Sequence, residues 1–218
     1  MSKKVAVVLA GCGVYDGSEI NEAVLTLLCL EQQGASYQCF APDIQQMHVI
    51  NHLTGEPAEG ESRNVLVEAA RIARGNIKPL TAADAADFDA LLVPGGFGAA
   101  KNLSNFAVAG AEMAIQPDFL QLGHAFHAAG KPIGLICIAP VMAAAITGEG
   151  TRCTIGNDAD TAAAINAMGG KHLECPVSEA RVDVEHKMVT TPAYMLAGSV
   201  SEAYSGIGEC VKEVLALA

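Results

Sequence analysis

Residues 5–40 contain VAVVLAGCGVYDGSEINEAVLTLLCLEQQGASYQCF, the stretch that decides the fold. The apolar, β-branched run at 5–10 predicts a strand that is buried on both faces. Residues 18–33 begin with a serine of the N-cap type, place apolar residues at helical spacing and stop at a glycine, which predicts a helix. A second short strand is predicted at 37–40. Strand, helix and strand in this order predict a right-handed βαβ unit with parallel strands.

The same alternation continues along the rest of the chain. We predict strands at 88–93 and 133–136, a hairpin of 181–184 and 188–191, and helices at 61–74, 118–129, 140–146, 161–168 and 199–217. This alternation predicts an α/β protein with a doubly wound sandwich, in which helices cover both faces of a mostly parallel central sheet. Since there is no repeat or linker, we expect a single domain over residues 1–218, with an irregular insertion at about 43–60.

Composition and charge narrow the classes of function. The 218 residues carry a formal net charge of -11, which disfavours binding to nucleic acid or to an anionic membrane surface. No apolar stretch is long enough to span a bilayer, and the start of the chain lacks a secretory signal. The seven cysteines are scattered without a CxxC pair. We therefore expect reduced thiols and a cytoplasmic protein.

A glycine-rich turn, GCGVYDG at 11–17, lies between the first strand and the first helix. This is the context of a dinucleotide-binding turn, and Asp43 after the second strand could contact a ribose. The spacing differs from that motif, however, because Asp16 stands where a small residue is required. Its carboxylate would repel a pyrophosphate. We favour a structural turn and keep nucleotide binding as a minor alternative.

Two further turns follow predicted strands. LVPGGFGAAKNL at 92–103 places Gly95 and Gly96 after a buried strand, where backbone N–H groups can point at an oxyanion. IGLICIAP at 133–140 places Cys137 on a strand-to-helix turn like that of the nucleophilic serine in α/β-hydrolases. A helix that begins at this point would favour ionisation of the thiol. From position alone, Cys137 is interpreted equally well as a nucleophile or as a packed core thiol.

Together, the first turn with its helix, the PGG turn and the cysteine turn resemble the ThiJ/PfpI branch of the class I glutamine amidotransferase-like superfamily. The GCGVYDGSEINE segment and the insertion are more narrowly similar to the enhancing-lycopene-biosynthesis group of bacterial proteins. These are isoprenoid-biosynthesis proteins with an amidotransferase-like domain. The resemblance implies a flavodoxin-like fold, a nucleophilic cysteine and a homodimer. The superfamily includes cofactor-independent glyoxalases, proteases and chaperones.

The resemblance also implies an acidic partner for the cysteine in the first helix. The matching residue is Glu22, and Glu19, one turn earlier, is the second choice. Many hydrolytic members have a histidine directly after the cysteine, but this chain has Ile138 there. The late segment VTTPAYM at 189–195 also lacks the histidine that glutamine amidotransferases need. These departures argue against amide hydrolysis.

The remaining chemistry is that of a Cys–Glu pair. We predict a glyoxalase-type enzyme without a cofactor, in which Cys137 adds to the aldehyde of glyoxal or methylglyoxal and Glu22 moves a proton. The N–H groups of Gly95, Gly96 and Ile138 are expected to hold the oxyanion. The alternative is a non-catalytic, redox-responsive protein of isoprenoid metabolism that uses Cys137 as a sensor.

A metal site at Cys12 is a minor alternative. Cys12 follows the first strand and could face Cys137 across neighbouring strand ends, with Glu22 or His48 as a further ligand. The spacing matches no known ligand motif, so we predict no metal. Cys12 stays a candidate accessory residue of the site, together with Glu19.

Overall fold

The computed structural model describes residues 2–218 and contains one large and one small sheet. The strands of the large sheet are β1 (Lys4–Val8), β2 (Ser36–Ala41), β3 (Ile77–Pro79), β4 (Ala90–Val93), β5 (Ile133–Ile136), β8 (Arg181–Asp183) and β9 (Met188–Thr191), and the small sheet pairs β6 (Arg152–Cys153) with β7 (Lys171–His172). The order in the large sheet is β3-β2-β1-β4-β5-β9-β8. All neighbours in it are parallel except β8 and β9.

The helices cover both faces of this sheet. They are α1 (Ile20–Gln32), α2 (Val65–Ile72), α3 (Phe97–Lys101), α4 (Phe106–Ala109), α5 (Pro117–Ala128), α6 (Ala143–Thr147), α7 (Ala159–Ala167) and α8 (Val200–Leu217). Along β1, Ala6 and Val8 belong to the apolar cluster formed with α5 and α6, whereas Val5 and Val7 belong to that formed with α1, α2 and α8. Burial on both sides explains why the strands are apolar throughout. The predicted single-domain α/β sandwich is confirmed.

The winding direction of the sheet reverses between β1 and β4. The chain runs from β1 to β2 and β3 on one side, and from β4 to β5 on the other. Because β1 and β4 are hydrogen-bonded neighbours, their carboxyl ends border a crevice of the kind where such sheets bind ligands. The ends of β5 and then β9 lie next in line. Four strand ends therefore meet along one edge of the sheet.

The irregular segment between β2 and α2 packs over the turn that follows β1. Two isolated bridges, Gln45–Asn64 and Ile50–Pro57, hold this segment together. The Ile50 N–H donates to the buried carboxylate of Asp16 at 2.8 Å, which fastens the segment to the turn. The expected insertion is thus an ordered cover.

Several boundaries differ from the sequence prediction for local reasons. The helix predicted at 61–74 begins at Val65, because the Asn64 side chain accepts an N–H of the first turn at 3.0 Å. The helix predicted at 140–146 is divided into a 3-10 turn, Ala139–Met142, and α6. The sequence prediction missed the short elements β3, β6, β7, α3 and α4. In the described part of the chain, no helix has the length and apolar character needed to cross a bilayer.

Candidate active site

Glu22 lies in the first turn of α1 and is fully buried. One carboxylate oxygen accepts the N–H of Gly95 at 2.9 Å, and the other accepts the N–H of Tyr194 at 3.1 Å. Burial raises the pKa of Glu22 and the charge of Glu19 adds to the rise, while the hydrogen bonds that Glu22 accepts lower it, and the net result is a pKa of about 7. Glu22 can therefore take up or release a proton near neutral pH. Glu19 itself caps α1 by accepting the Glu22 N–H at 2.6 Å.

Cys137 directly follows β5 and has a backbone φ of 64°, in the left-handed region that residues other than glycine seldom adopt. Its N–H donates to the carbonyl oxygen of Thr191, at the end of β9, at 3.0 Å, which fixes the turn. The thiol interacts with the Glu22 carboxyl group and with the N–H groups of Gly96 and Ile138. The tight turn predicted here is present, and the fold brings Cys137 and Glu22 together.

The acidity of the Cys137 thiol differs from the sequence prediction. Burial raises its pKa well above the ordinary value of 9.0, and the charge of Glu22 raises it further, while the Gly96 and Ile138 N–H groups lower it. The prediction of a more acidic thiol was wrong for two reasons. The turn after Cys137 is a 3-10 turn, so no α-helix begins at the sulfur. The thiol is also buried beside a carboxyl group that competes for the negative charge.

The two glycines of the PGG turn are needed for close approach. A Cβ on Gly95 would overlap the Cβ of Cys137 and lie 2.7 Å from a Glu22 carboxylate oxygen. Gly96 has a φ of 92°, and a Cβ there would overlap the N–H of Glu19. The Gly95 N–H is occupied by Glu22, so it is not free to hold an oxyanion as predicted. The N–H groups of Gly96 and Ile138 remain, both beside the sulfur.

The segment after β9 contributes a contact that the sequence analysis did not anticipate. Ala193 has a φ of 43°, and this turn directs the N–H of Tyr194 at the Glu22 carboxylate. The Tyr194 hydroxyl accepts a hydrogen bond from the Asn21 side chain at 3.2 Å, which ties the turn to α1. The sequence places residues 192–194 at a strand end beside the site, but it does not predict this contact. A backbone donor carries no sequence signal, because any residue type can supply it.

A cavity of about 520 Å³ opens from the Cys137 sulfur. Glu19, Gly96 and Ile138 line it near the thiol, as the sequence analysis expected of a site at these strand ends. The rest of the lining includes Met195, after β9, and residues from parts of the chain that the sequence did not point to, chiefly Phe106 and Val108 of α4 and Asp158 and Thr161 at the start of α7. The residues of α4 and α7 follow no predicted strand of the large sheet. Their approach to Cys137 depends on tertiary folding alone.

Cys12 does not lie beside Cys137. It is half-buried and does not line the cavity, and the charges that act on its thiol come from Glu68, Arg71 and Asp16. Burial raises its pKa. Residues 2–218 contain no cluster of three or more His, Cys, Asp or Glu side chains with the geometry of a metal site. The structure therefore does not bring Cys12 into the group formed by Cys137 and Glu22.

The glycine-rich turn after β1 is closed to a dinucleotide. His52 of the insertion packs against Gly13, so that a Cβ on this glycine would lie 2.6 Å from the imidazole ring. The carboxylate of Asp16 is buried in the turn and accepts the Ile50 N–H. A pyrophosphate would have to displace the insertion and face this carboxylate. The structural interpretation of the turn is the one that the geometry supports.

Histidines in the described chain lie away from the thiol, and none lines the cavity at Cys137. The His186 ring bonds to the Asp183 carboxylate at 2.9 Å in the β8–β9 hairpin and stacks on His127. The His124 ring contacts the carbonyl oxygen of Ala145 at 2.9 Å. The site thus lacks the imidazole base of a Cys–His pair, as the sequence predicted.

Comparison with known proteins agrees with these features. A human protein, glutamine amidotransferase-like class 1 domain-containing protein 3, mitochondrial, is 52% identical over 223 residues, which span 98% of this chain and 83% of that protein. The chain belongs to this glutamine amidotransferase-like family. The rat ES1 protein homolog, mitochondrial, is another member, at 51% identity over 98% of this chain and 84% of its own length. No protein-family model matches the chain.

Solved structures of the family's relatives extend the comparison. An isoprenoid biosynthesis protein with amidotransferase-like domain from Ehrlichia chaffeensis has a TM-score of 0.91 and 38% identity, covering 99% of this chain and all of that chain. A DJ-1 superfamily protein from Salmonella typhimurium shares the fold, with a TM-score of 0.57 and 22% identity over 99% of this chain and 88% of that chain. The predicted membership of the class I glutamine amidotransferase-like family and the narrower resemblance to isoprenoid-biosynthesis proteins with an amidotransferase-like domain are confirmed.

The same names correct the prediction of a cytoplasmic protein. The human and rat relatives, and also the ES1 protein of Danio rerio, are named mitochondrial. Our prediction rested on reduced thiols and on the lack of a secretory signal. Neither observation distinguishes the cytoplasm from a mitochondrion. The prediction of a cytoplasmic protein is therefore wrong.

Proposed function

We propose that this family member is a cofactor-independent glyoxalase-type lyase that converts 2-oxoaldehydes such as glyoxal and methylglyoxal to 2-hydroxy acids. One observation carries the proposal. The Cys137 thiol and the Glu22 carboxyl group lie beside each other against Gly95 at the end of a cavity, with the N–H groups of Gly96 and Ile138 beside the sulfur. A nucleophile, a proton carrier and two oxyanion donors are what this isomerisation requires.

The first step is addition of sulfur to the aldehyde. Glu22, as carboxylate, accepts the thiol proton while the sulfur attacks the aldehyde carbon. The developing oxyanion receives hydrogen bonds from the Gly96 and Ile138 N–H groups and then a proton from Glu22. The product is a hemithioacetal on Cys137, and Glu22 is again a carboxylate. Since the unreacted thiol holds its proton, coupling of attack to proton transfer is essential.

The second step moves a proton between neighbouring carbons. Glu22 removes the proton from the former aldehyde carbon, which gives an enediolate, and returns it to the adjacent carbon. The result is a thioester of the 2-hydroxy acid. Water then cleaves the thioester, which releases the hydroxy acid and restores the thiol. A carboxyl group with a pKa of about 7 is well matched to this two-way transfer at neutral pH.

The sensor alternative has less support from the site. Oxidation of a cysteine proceeds from an exposed thiolate. The Cys137 side chain is buried and its pKa is raised by burial and by Glu22. Both features slow reaction with peroxide.

The test is the conversion of methylglyoxal to lactate without glutathione. Wild type should form lactate, with a rate that rises as Glu22 ionises through pH 7, and Cys137→Ala and Glu22→Gln should each lose at least about 99% of the activity. Cys12→Ala is the matched control, a thiol outside the cavity, and should retain wild-type activity. Equal lactate formation by wild type and Cys137→Ala would refute the proposal.

The oligomeric state of the protein and the metabolism in which it acts are also proposals. We propose a homodimer, supported by the exposed apolar stripe of Ile20, Val24 and Leu28 along the outer face of α1. Sedimentation equilibrium should give twice the chain mass of 22.4 kDa, and a monomer at micromolar concentration would refute it. The description of the Ehrlichia relative supports a role beside isoprenoid metabolism.

A further inference from the structure

The cavity at Cys137 is larger than glyoxal or methylglyoxal requires. Its volume of about 520 Å³ lies within the roughly 300–1,000 Å³ of pockets that enclose drug-sized ligands. A small dicarbonyl bound at the sulfur would leave most of this space to water. The residues that line the remaining space therefore indicate which chemical groups the rest of the substrate carries.

The wall beyond the thiol is apolar. Val14, Phe97, Phe106, Val108 and Met195 contribute to it. Phe97 is 47% exposed and Val108 is 65% exposed, so both present apolar surface to whatever enters. Apolar surface that is covered by an apolar chain contributes binding energy in proportion to the area removed from water. This wall fits a hydrocarbon chain.

The charges of the cavity have one sign. Among residues 2–218, Glu19 and Asp158 line it, and no lysine or arginine does. The Asp158 carboxylate caps α7 by accepting the Thr161 N–H at 2.8 Å. The nearby ammonium group of Lys101 donates to the carbonyl oxygen of Tyr15 and lies outside the lining. A substrate with a carboxylate or phosphate on its chain would meet repulsion from Glu19 and Asp158. Lys101, whose ammonium group lies over the Phe97 ring at 5.4 Å, would offset only part of this repulsion.

On the basis of the proposed function, we infer that the site takes an uncharged 2-oxoaldehyde whose carbonyl group carries an apolar chain of several carbons. The aldehyde lies at Cys137, the chain lies along the α3–α4 wall, and Asp158 is the specificity-determining residue that excludes anionic chains. Atoms and electrons balance as for methylglyoxal, since the chain takes no part in the reaction.

Chain length is the first test. Across alkyl 2-oxoaldehydes from methyl to hexyl, kcat/KM should rise about fourfold for each methylene until the wall is covered, mainly through KM. Val108→Ser should flatten this rise. Val184→Ser is the matched control, because Val184 is 68% exposed and lies on the β8–β9 hairpin, outside the cavity, and it should keep the wild-type slope.

Charge is the second test. A 2-oxoaldehyde that ends in a carboxylate should have a kcat/KM several-fold below that of the neutral compound of equal length, by about a factor of five for charges at contact distance in water. Asp158→Asn keeps a side chain that caps α7 while removing the charge. It should narrow the gap between the anionic and neutral substrates by several-fold, with a smaller effect in high salt.

The outcomes separate this inference from the proposed function. If wild type converts methylglyoxal and longer chains bring no gain, the inference is wrong and the proposed function stands. If no oxoaldehyde is converted, the proposed function fails. Ketone binding, measured by ligand-observed NMR, then decides the inference: 2-octanone should bind with a dissociation constant at least about tenfold below that of acetone, and Val108→Ser should reduce this difference. Equal binding of the two ketones would overturn it.

Discussion

Replacing Glu22 by glutamine should change how the stability of the protein depends on pH. Burial raises the pKa of Glu22 from 4.5 to about 7. Between these values the folded state binds a proton that the unfolded state has released, so folding stability falls as pH rises. The pKa difference corresponds to about 3 kcal/mol in the free energy of unfolding. Glutamine does not titrate, so Glu22→Gln removes this contribution.

Urea unfolding at a series of pH values from 4 to 8 measures the effect. Relative to Glu22→Gln, wild type should lose about 3 kcal/mol over this range, with most of the loss between pH 5 and 7. Glu59→Gln, at an exposed glutamate of the insertion, should show only a small change relative to wild type. A free-energy difference between wild type and Glu22→Gln that stays constant with pH would refute the reasoning, and an opposite slope would mean that the hydrogen bonds outweigh burial.

Three further substitutions test other parts of the structure. Gly95→Ala should abolish lactate formation and lower stability by at least about 2 kcal/mol in urea unfolding, because its Cβ would overlap that of Cys137; wild-type activity would contradict the close approach. Asp183→Ala should lower stability by about 3 kcal/mol, since the Arg152 N–H loses its acceptor at 2.7 Å in a buried place, and a loss below about 0.5 kcal/mol would count against it. Asn102→Ala should make the insertion sensitive to proteases through loss of its side-chain bond to the Met47 N–H, which limited proteolysis detects; a wild-type cleavage pattern would show that this bond does not hold the insertion.

The order of strands and helices could be predicted because the periodicity of apolar residues is a local signal. The run at 5–10 contains most of β1, and the run at 133–136 coincides with β5. The short strand β3, Ile77–Pro79, escaped prediction, since three residues carry too little pattern. Cys137, Gly95 and Gly96 could be predicted as site residues because each lies directly after a strand, and the carboxyl ends of parallel strands lie along the same edge of the sheet.

The rest of the site depends on contacts that leave no trace in the pattern. The N–H groups of Gly95 and Tyr194 donate hydrogen bonds to the Glu22 carboxylate. Because almost every residue type has a backbone N–H group, the sequence does not show which residues make these bonds. Asp158 and Val108 reach the cavity from elements whose packing is set by the whole fold. The direction of the pKa of Cys137 was mistaken because burial, which sequence cannot measure, outweighs the effect of the following turn.

Cys137 and Ala193 have left-handed backbones, with φ values of 64° and 43°, at the ends of neighbouring strands. Each conformation costs about 1 kcal/mol or more relative to glycine. A selection for thermal stability alone would therefore favour glycine at position 193 and a relaxed turn at position 137. A relaxed turn at position 137 would make the position of the Cys137 thiol less fixed, and glycine at position 193 would do the same for the Tyr194 N–H that holds the Glu22 carboxylate. Engineering of this protein for industrial temperatures should fix these two positions and seek its gains on the opposite edge of the sheet.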